Sequence, residues 1–185
     1  MNITSSLASF EKQTKENTFT ICPGASFETK KYPVKYFAEI ASEVLDQIPD
    51  IELNILGSGN ENECSELASK LEKYAARVHN YQGKMKLNES IKFISKTKLV
   101  LGNDSLFGHI ADSIHIPALS IFGPTDERFG FAPYGVNSRS YSVKNLNCRP
   151  CSLTGNKKCV RTNQFCMDNI NRQVIIRDII ERLKA

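Results

Sequence analysis

Short runs of apolar residues alternate with longer segments of helical periodicity along most of this chain. Five of the runs are short and end in glycine, proline or polar turn residues, which predicts buried strands. They span residues 18–22, 51–56, 78–81, 99–101 and 117–122. The other segments carry apolar residues three and four positions apart, which predicts amphipathic helices. They cover residues 33–47, 61–77, 87–95, the stretch around His109, and residues 173–183.

This alternation predicts an α/β fold with a doubly wound parallel sheet, because parallel strands need crossover connections that are usually helices. A chain of 185 residues is long enough for one domain with a substantial core. We expect that domain to occupy residues 18–185 and to include a cysteine-rich loop over residues 145–168 and a C-terminal helix. Residues 1–17 are expected to form a linker or a disordered segment.

The composition is that of an ordinary globular protein, with 41% hydrophobic residues, 24% charged residues and a formal net charge of +4. This mild positive charge is compatible with a small anionic ligand and does not by itself indicate nucleic acid. The sequence shows no signal-peptide pattern and no apolar stretch of the roughly 20 residues that a membrane span requires. We therefore expect a cytoplasmic protein without a transmembrane segment, whose six cysteines are reduced unless they bind metal.

Two polar turns within residues 98–126 point to a ligand site. They span residues 102–105 and 123–125, and each follows a predicted strand. Open α/β sheets bind ligands in the crevice at the carboxyl ends of their strands, so we expect both turns to line a pocket. Asp104 and Ser105 can each cap the following helix, and His109 lies near the same pocket mouth. A histidine on a helix is, however, more often structural than functional.

The loop after the first strand, residues 23–33, combines small residues with a hydroxyl and two cations. Ser26 and either Lys30 or Lys31 would lie near the start of the next helix, where the helix dipole disfavours a lysine. A bound diphosphate would remove that conflict, which favours a phosphate site. The alternative is an exposed loop with two surface lysines.

The glycines after the second strand, Gly57 and Gly59, lack the third glycine of a dinucleotide fingerprint, since position 62 is Asn. A nicotinamide or flavin site is therefore disfavoured. Glu61, or less favourably Glu63, would instead hold a pair of ribose hydroxyls. Either carboxylate would also complement the positive end of the helix dipole, which is the structural alternative.

Four cysteines, at positions 148, 151, 159 and 166, follow the pattern C-x2-C-x7-C-x6-C. The first pair has the spacing of a metal chelate, and four thiolates would complete a tetrahedral zinc site. The later spacings are loose for zinc, and the alternative is a set of reduced thiols that pack an irregular loop. We expect no metal among the functional groups of the site.

Six segments, in order over residues 18–175, resemble the C-terminal half of glycosyltransferase family 9, the bacterial ADP-heptose:lipopolysaccharide heptosyltransferases. They are PGASFETKKYP, LNILGSGNENE, GKMKLNESI, LVLGNDSLFGH, IFGPTD and the CRPC…C…CM tail. The family has the GT-B architecture, in which two Rossmann-like domains enclose the active site and the C-terminal one holds the nucleotide-sugar donor. The N-terminal domain binds the acceptor and carries the aspartate taken as the general base, and nothing in this sequence corresponds to it. The resemblance thus implies a donor-binding domain alone.

The resemblance implies that Lys30 and Asp104 are the catalytic residues. Lys30 matches the lysine of the K-x-W-P motif and, with Ser26, would contact the donor phosphates. Asp104 would contact hydroxyls of the donor sugar, Ser105 would lie beside the phosphates, and His109 matches the histidine of the same motif.

The nucleoside would be held by residues nearer the second and third strands. The resemblance implies that Glu61 binds the ribose and that the backbone at Met85 reads the adenine edge. Two positions depart from the family pattern. Leu106 stands where the family usually has glycine, and Tyr32 stands where it usually has tryptophan.

The reaction that the resemblance implies is inverting transfer of a sugar from an ADP-heptose-like donor to a lipopolysaccharide core or a related glycan, without a required cofactor. The expected partners are the donor, a glycolipid or glycan acceptor and an acceptor-binding domain on another chain, and nucleic acid is not expected. The place of action would be the cytoplasm at the inner face of the inner membrane, with peripheral membrane contact left open. Two alternatives remain: a non-catalytic nucleotide-sugar-binding module, and a zinc-stabilised nucleic-acid binder that uses the basic cysteine-rich tail.

Overall fold

The computed structural model describes residues 16–185, and six parallel strands form its central sheet. The strands are β1 Thr18–Cys22, β2 Glu52–Ile55, β3 Val78–Asn80, β4 Val100–Asn103, β5 Ala118–Ile121 and β6 Arg139–Tyr141. They lie in the order β3-β2-β1-β4-β5-β6, and every neighbouring pair is parallel. The predicted doubly wound α/β sheet is confirmed.

Within residues 16–185, six α-helices connect and flank these strands. They are α1 Val34–Gln47, α2 Glu63–Lys70, α3 Leu87–Ile94, α4 Leu106–Ser113, α5 Phe165–Asp168 and α6 Arg172–Lys184. Short 3-10 turns occupy Glu28–Lys30, Glu72–Tyr74 and Glu127–Phe129. α1 packs against α2 and α6, whereas α4 packs against α3, β4 and β5. None of the helices in this part of the chain is long and apolar enough to cross a membrane.

Buried side chains alternate between the two faces of the sheet and form two hydrophobic clusters. The larger cluster joins strand residues such as Phe19 and Leu101 to α1 and α6. The smaller joins Val100 and Ala118 to α3 and α4. Successive side chains of a strand point to opposite faces, so a sheet covered by helices on both sides needs apolar residues at nearly every strand position. This explains why the strands read as short continuous apolar runs.

The helix predicted over residues 61–77 is shorter than expected, since α2 ends at Lys70. Beyond it, the Arg77 guanidinium donates to the carbonyls of Leu45 and Ile48 at 3.0 and 3.2 Å. A helix leaves its last carbonyls without intrahelical partners, and Arg77 satisfies those at the end of α1. This long-range contact ties the segment after α2 to the end of α1, and local periodicity gives no sign of it.

The sequence analysis missed β6, because Tyr141 is the only buried residue of its three. This strand pairs with β5 at the edge of the sheet. The Tyr141 hydroxyl donates to Asp178 of α6, and Arg139 forms an ion pair with the same carboxylate at 3.2 Å. Polar contacts with α6 therefore stabilise a strand that has little apolar surface.

The predicted N-terminal linker, residues 1–17, lies outside the described residues apart from its last two. The Glu16 N–H donates to the Lys96 carbonyl at 2.8 Å, and the Asn17 carbonyl accepts from the Glu52 N–H at 3.1 Å. These two residues are tied by backbone hydrogen bonds to the segments around β2 and β4.

Asn103, the last residue of β4, ties the loop after β1 to the sheet. Its side chain is fully buried, its Oδ1 accepts from the Tyr32 N–H at 2.9 Å, and its Nδ2 donates to the Pro23 carbonyl at 2.7 Å. β1 and β4 flank the switch point of the sheet, where the strand order reverses and a crevice opens. Asn103 therefore fixes both walls of that crevice relative to each other.

Glu127 connects the turn after β5 to the cysteine-rich loop. Its carboxylate lies 3.1 Å from both Arg149 Nη2 and Lys144 Nζ, and Arg149 Nε donates to the Gly123 carbonyl at 2.6 Å. Burial opposes the charge of Glu127, but the hydrogen bond from Ser142 and the neighbouring cations outweigh it and lower the pKa to about 2. Glu127, Lys144 and Arg149 line a surface cavity of about 640 Å³, and the ion pair between Glu127 and Arg149 holds the loop to the sheet.

The substitution Asn103→Ala should destabilise the protein, because it leaves the buried Tyr32 N–H without an acceptor. We expect the free energy of unfolding to fall by about 2 kcal/mol, measured by urea denaturation with circular dichroism. The matched control Asn147→Ala, at an exposed position, should change stability by less than about 0.5 kcal/mol. Equal stability of the two variants would contradict the role given to Asn103.

The ion pairs of Glu127 with Lys144 and Arg149 predict a pH-dependent stability difference between the wild type and Glu127→Gln. A carboxyl group whose pKa is lowered by folding stabilises the protein above its ordinary pKa of 4.5, and that stabilisation is lost as the pH falls toward 2. We expect a difference of up to about 3 kcal/mol at pH 7 that shrinks below pH 5 and vanishes near pH 2. A difference that stays constant over this range, in urea denaturation at each pH, would rule out the ionised Glu127 as its source.

Candidate functional site

The carboxyl ends of β1, β4 and β5 bring three polar side chains together. Lys30 Nζ lies 2.6 Å from Asp104 Oδ2, and the Thr125 hydroxyl donates to the same oxygen at 2.9 Å. Asp104 and Thr125 are buried, whereas 15% of the Lys30 side chain is exposed. The other carboxylate oxygen faces His109, whose Nε2 is 3.8 Å away and so beyond hydrogen-bond length.

Lys30, Asp104 and His109 line a cavity of about 250 Å³. Five of the predicted binding residues meet in its wall, namely Ser26, Lys30, Asp104, Ser105 and His109. Four exposed apolar side chains complete the wall and form its rim: Phe27, Leu106, Phe131 and Leu153. A few convergent polar groups in a largely apolar surround are typical of a small-molecule site.

The helix α4 begins at the cavity wall, with Ser105 at the N-cap position and Leu106 as its first residue. In the part of the chain that the structure describes, the Ser105 hydroxyl makes no capping hydrogen bond. Asp104, the other cap expected from the sequence, instead pairs with Lys30 and Thr125. The first N–H groups of α4 thus have no side-chain cap from these two residues, and such a helix end favours an anion.

Glu61 lies where the loops after β1 and β2 approach each other. Its Oε2 accepts from the Ser58 N–H at 3.0 Å. A Cβ added to Gly57 would come within 2.7 Å of that oxygen, and one added to Gly24 would collide with the whole carboxylate. The two glycines therefore give the Glu61 carboxylate the room it occupies across the ends of both strands.

The structure separates the lysines and glutamates between which the sequence left a choice. Lys31 Nζ pairs with Glu63 Oε1 at 2.6 Å and with Glu28 at 2.7 Å. Burial opposes the charge of Glu63, but the hydrogen bond from Lys31 outweighs it and holds the pKa of Glu63 below its ordinary value. Lys31 and Glu63 thus pair with each other, whereas Lys30 lies in the cavity wall, and Lys30 and Glu61 stay the candidate ligand-binding groups.

Met85 lies apart from the cavity described above. It is half-buried and packs against the smaller hydrophobic cluster. The preceding Gly83 N–H donates to the Gly57 carbonyl at 3.0 Å, which holds the loop after β3 beside the loop that carries Glu61. Base recognition by the backbone at Met85 stays a prediction.

The two departures from the family motif occupy different environments. Leu106 is 56% exposed and lines the cavity. Gly108, the nearest glycine, faces the sheet instead, where a Cβ would come within 3.0 Å of Ser120 Oγ. Tyr32 is fully buried and packs edge-on against Phe37 at 5.2 Å between ring centroids, so it is a core residue.

The cysteine-rich loop contributes packing groups. Cys151 Sγ lies 2.7 Å from the Cys148 carbonyl. Burial raises the pKa of the Cys166 thiol to about 11, and the thiols of Cys148, Cys151 and Cys159 add to the effect. Among the described residues, no group of three or more His, Cys, Asp or Glu side chains is arranged to hold a metal ion.

Sequence reasoning missed the contribution of Thr125 and of the apolar rim. Thr125 lies in the second polar turn, which the sequence predicts to line a pocket. In the structure none of residues 123–125 lines this cavity, and the fully buried Thr125 contacts the site through its hydrogen bond to Asp104, which nothing in the pattern indicates. Leu153 and Thr154 reach the cavity from the cysteine-rich loop, nearly 50 positions beyond Asp104. No local signal indicates that approach.

Comparison with known proteins identifies relatives of this chain. A model of glycosyltransferase family 9 (heptosyltransferase) matches residues 2–160. The lipopolysaccharide heptosyltransferase 2 of Escherichia coli (strain K12) is 28% identical over 111 residues, which cover 58% of this chain and 31% of that protein.

Solved structures share the fold. The E. coli ADP-heptose lps heptosyltransferase II superposes with a TM-score of 0.75 at 19% identity, over 98% of this chain and 50% of that one. The E. coli heptosyltransferase WaaC with ADP gives a TM-score of 0.67 at 18% identity, over 95% of this chain and 48% of that one. The chain thus spans no more than half the length of these relatives. With a family model that matches most of its residues and a six-stranded parallel sheet like that of these GT-B structures, the chain belongs to glycosyltransferase family 9.

Proposed function

We propose that this chain is the donor-binding domain of an inverting glycosyltransferase and that it binds an ADP-heptose-like nucleotide sugar. The observation that carries the proposal is the cavity at the switch point of the sheet, in whose wall Lys30 meets Asp104, with Thr125 bonded to the same carboxylate. The diphosphate would lie between the Lys30 ammonium and the N terminus of α4. Both supply positive potential, and both are fixed before the ligand arrives.

Asp104 is proposed to orient the donor sugar. Its Oδ2 already accepts from Lys30 and Thr125, which leaves Oδ1 toward the cavity and His109. An ionised carboxylate accepts hydrogen bonds only, so Oδ1 suits a sugar hydroxyl as donor. Asp104 is therefore assigned the role of orienting the sugar and not that of the general base.

The nucleoside is proposed to extend from the diphosphate toward β2 and β3. Glu61, whose carboxylate lies against Gly24 and Gly57, would accept hydrogen bonds from the two ribose hydroxyls. The backbone at Met85 would read the base. The choice of adenine follows the relative that was solved with ADP.

In the proposed reaction, the oxygen of an acceptor hydroxyl forms a bond to the anomeric carbon of the donor sugar. The bond from that carbon to the phosphate oxygen breaks, and its electron pair leaves with the nucleoside diphosphate. The hydroxyl proton passes to a base on the acceptor side. Negative charge grows on the leaving diphosphate, where Lys30 and the α4 amides stabilise it electrostatically.

The acceptor is proposed to be a lipopolysaccharide core or a related glycan, as the names of the relatives suggest. Because the chain spans half or less of those proteins, we assign acceptor binding and the base to a second domain, on the same or another chain. The apolar rim of the cavity, formed by Phe27, Leu106, Phe131 and Leu153, offers a surface for that domain. A glycolipid acceptor would place the reaction at the inner face of the inner membrane.

Calorimetric titration with ADP, UDP and GDP tests the donor site. We expect the chain to bind ADP in preference to UDP and GDP. The variant Lys30→Met keeps most of the side-chain volume but loses the charge, and it should weaken ADP binding about 10- to 100-fold, as expected for a hydrogen bond to a charged group. The control Lys157→Met, at an exposed position of the cysteine-rich loop, should bind ADP like the wild type. Equal ADP affinity in Lys30→Met and the wild type would refute the proposed site.

A further inference from the structure

The cysteine-rich loop folds back onto the side chain of Lys30. A Cβ added to Gly155 would come within 2.5 Å of both Cγ and Cδ of Lys30. These atoms lie in the middle of the lysine side chain, so a rotation of its tip alone cannot relieve the clash. Gly155 is buried and has φ +87°, a left-handed conformation that favours glycine. The backbone at Gly155 is therefore one wall of the channel that holds Lys30.

Hydrogen bonds hold this turn of the loop in place. The Thr29 hydroxyl donates to the Gly155 carbonyl, and the Gln164 amide donates to the Thr29 carbonyl. Within the turn, the Ser152 hydroxyl accepts from the Gly155 N–H at 3.0 Å. The turn is thus anchored on the residue that precedes Lys30.

A lysine side chain has many rotamers, and it loses that freedom when its ammonium binds one anion. A wall against Cγ and Cδ removes most of those rotamers before any ligand binds. The ammonium is then held where it meets Asp104 at 2.6 Å, in the cavity wall. Leu153 and Thr154 of the same turn line that cavity beside Lys30.

We propose that Gly155 is a positioning residue, which directs the Lys30 ammonium to the donor diphosphate, and that the cysteine-rich loop serves donor binding through it. This inference rests on the proposed function, in which Lys30 binds the diphosphate. It gives the cysteine-rich segment a role that needs neither a metal ion nor nucleic acid. It also explains how the cysteine-rich loop can affect the affinity for a diphosphate that binds Lys30 in the loop after β1.

Two glycine-to-alanine variants separate this role from backbone strain. Gly155 and Gly130 have nearly the same positive φ, +87° and +85°, so alanine meets similar strain at both. A Cβ at Gly130 would meet the Tyr134 hydroxyl at 3.7 Å, an ordinary contact distance, and not Lys30. Gly155→Ala should weaken ADP binding about tenfold in calorimetry, and Gly130→Ala less than about twofold. Binding of adenosine, which lacks the diphosphate, should stay the same in both variants.

A double-mutant cycle with Lys30→Met tests whether the effect passes through the ammonium. In the Lys30→Met background, Gly155→Ala should change ADP affinity by less than about twofold, because the charge that it displaces is already absent. An equal loss in both backgrounds, or a loss no larger than that of Gly130→Ala, would overturn the role given to Gly155. Unchanged ADP affinity in Lys30→Met alone would instead overturn the proposed function, and the inference with it.

A second variant keeps the test decisive if Gly155→Ala does not fold, which thermal unfolding by circular dichroism would reveal. Thr29→Val removes the hydroxyl that anchors Gly155 and leaves the Lys30 side chain intact. It should weaken ADP binding about threefold or more, and Thr29→Ser, which keeps the hydroxyl, should restore it. Wild-type affinity for ADP in Thr29→Val would contradict the inference.

Discussion

A buried carboxylate needs hydrogen bonds or an opposite charge to offset the loss of water. The partners that Asp104 finds come from separate loops, so its contacts hold those loops together. Lys30 comes from the loop after β1 and Thr125 from the turn after β5, and both bind the same oxygen of Asp104. One ion pair and one hydrogen bond thus join three strand ends around the switch point of the sheet. Asn103, the neighbour of Asp104, fixes the β1 loop from the other side. The site is therefore assembled by contacts that also hold the crevice in shape.

Local sequence pattern was enough to predict most of the sheet, because strands covered by helices on both faces are apolar at nearly every position. The run Thr18–Cys22 is such a strand and was predicted with its observed bounds. The pattern failed where long-range polar contacts decide the structure. β6 depends on the contact between Tyr141 and Asp178, and the end of α2 is linked to the contacts of Arg77 with α1.

The candidate site, like the fold, has parts that the local sequence pattern predicts and parts that depend on long-range contacts. Positions at strand ends, such as Asp104 and Lys30, could be predicted, because topology alone brings the carboxyl ends of parallel strands to one edge. Strand-end position alone leaves Lys30 and Lys31 as alternatives; the family resemblance points to Lys30, and in the structure Lys31 pairs with Glu63. The contact between Gly155 and Lys30 joins residues 125 positions apart and leaves no periodic signal. The path of the cysteine-rich loop back to Lys30 therefore could not be predicted from the sequence.

The diphosphate of a nucleotide is proposed to bind between Lys30 and the N terminus of α4, and every role proposed for the site depends on that position. The most direct measurement is a titration of the 15N-labelled protein with ADP, followed by amide NMR shifts. We expect the largest shifts in residues 24–30 and 104–108, and we expect Lys30→Met to reduce them strongly. Shifts confined to the cavity beside Glu127 and Arg149, or a pattern that Lys30→Met leaves unchanged, would contradict it.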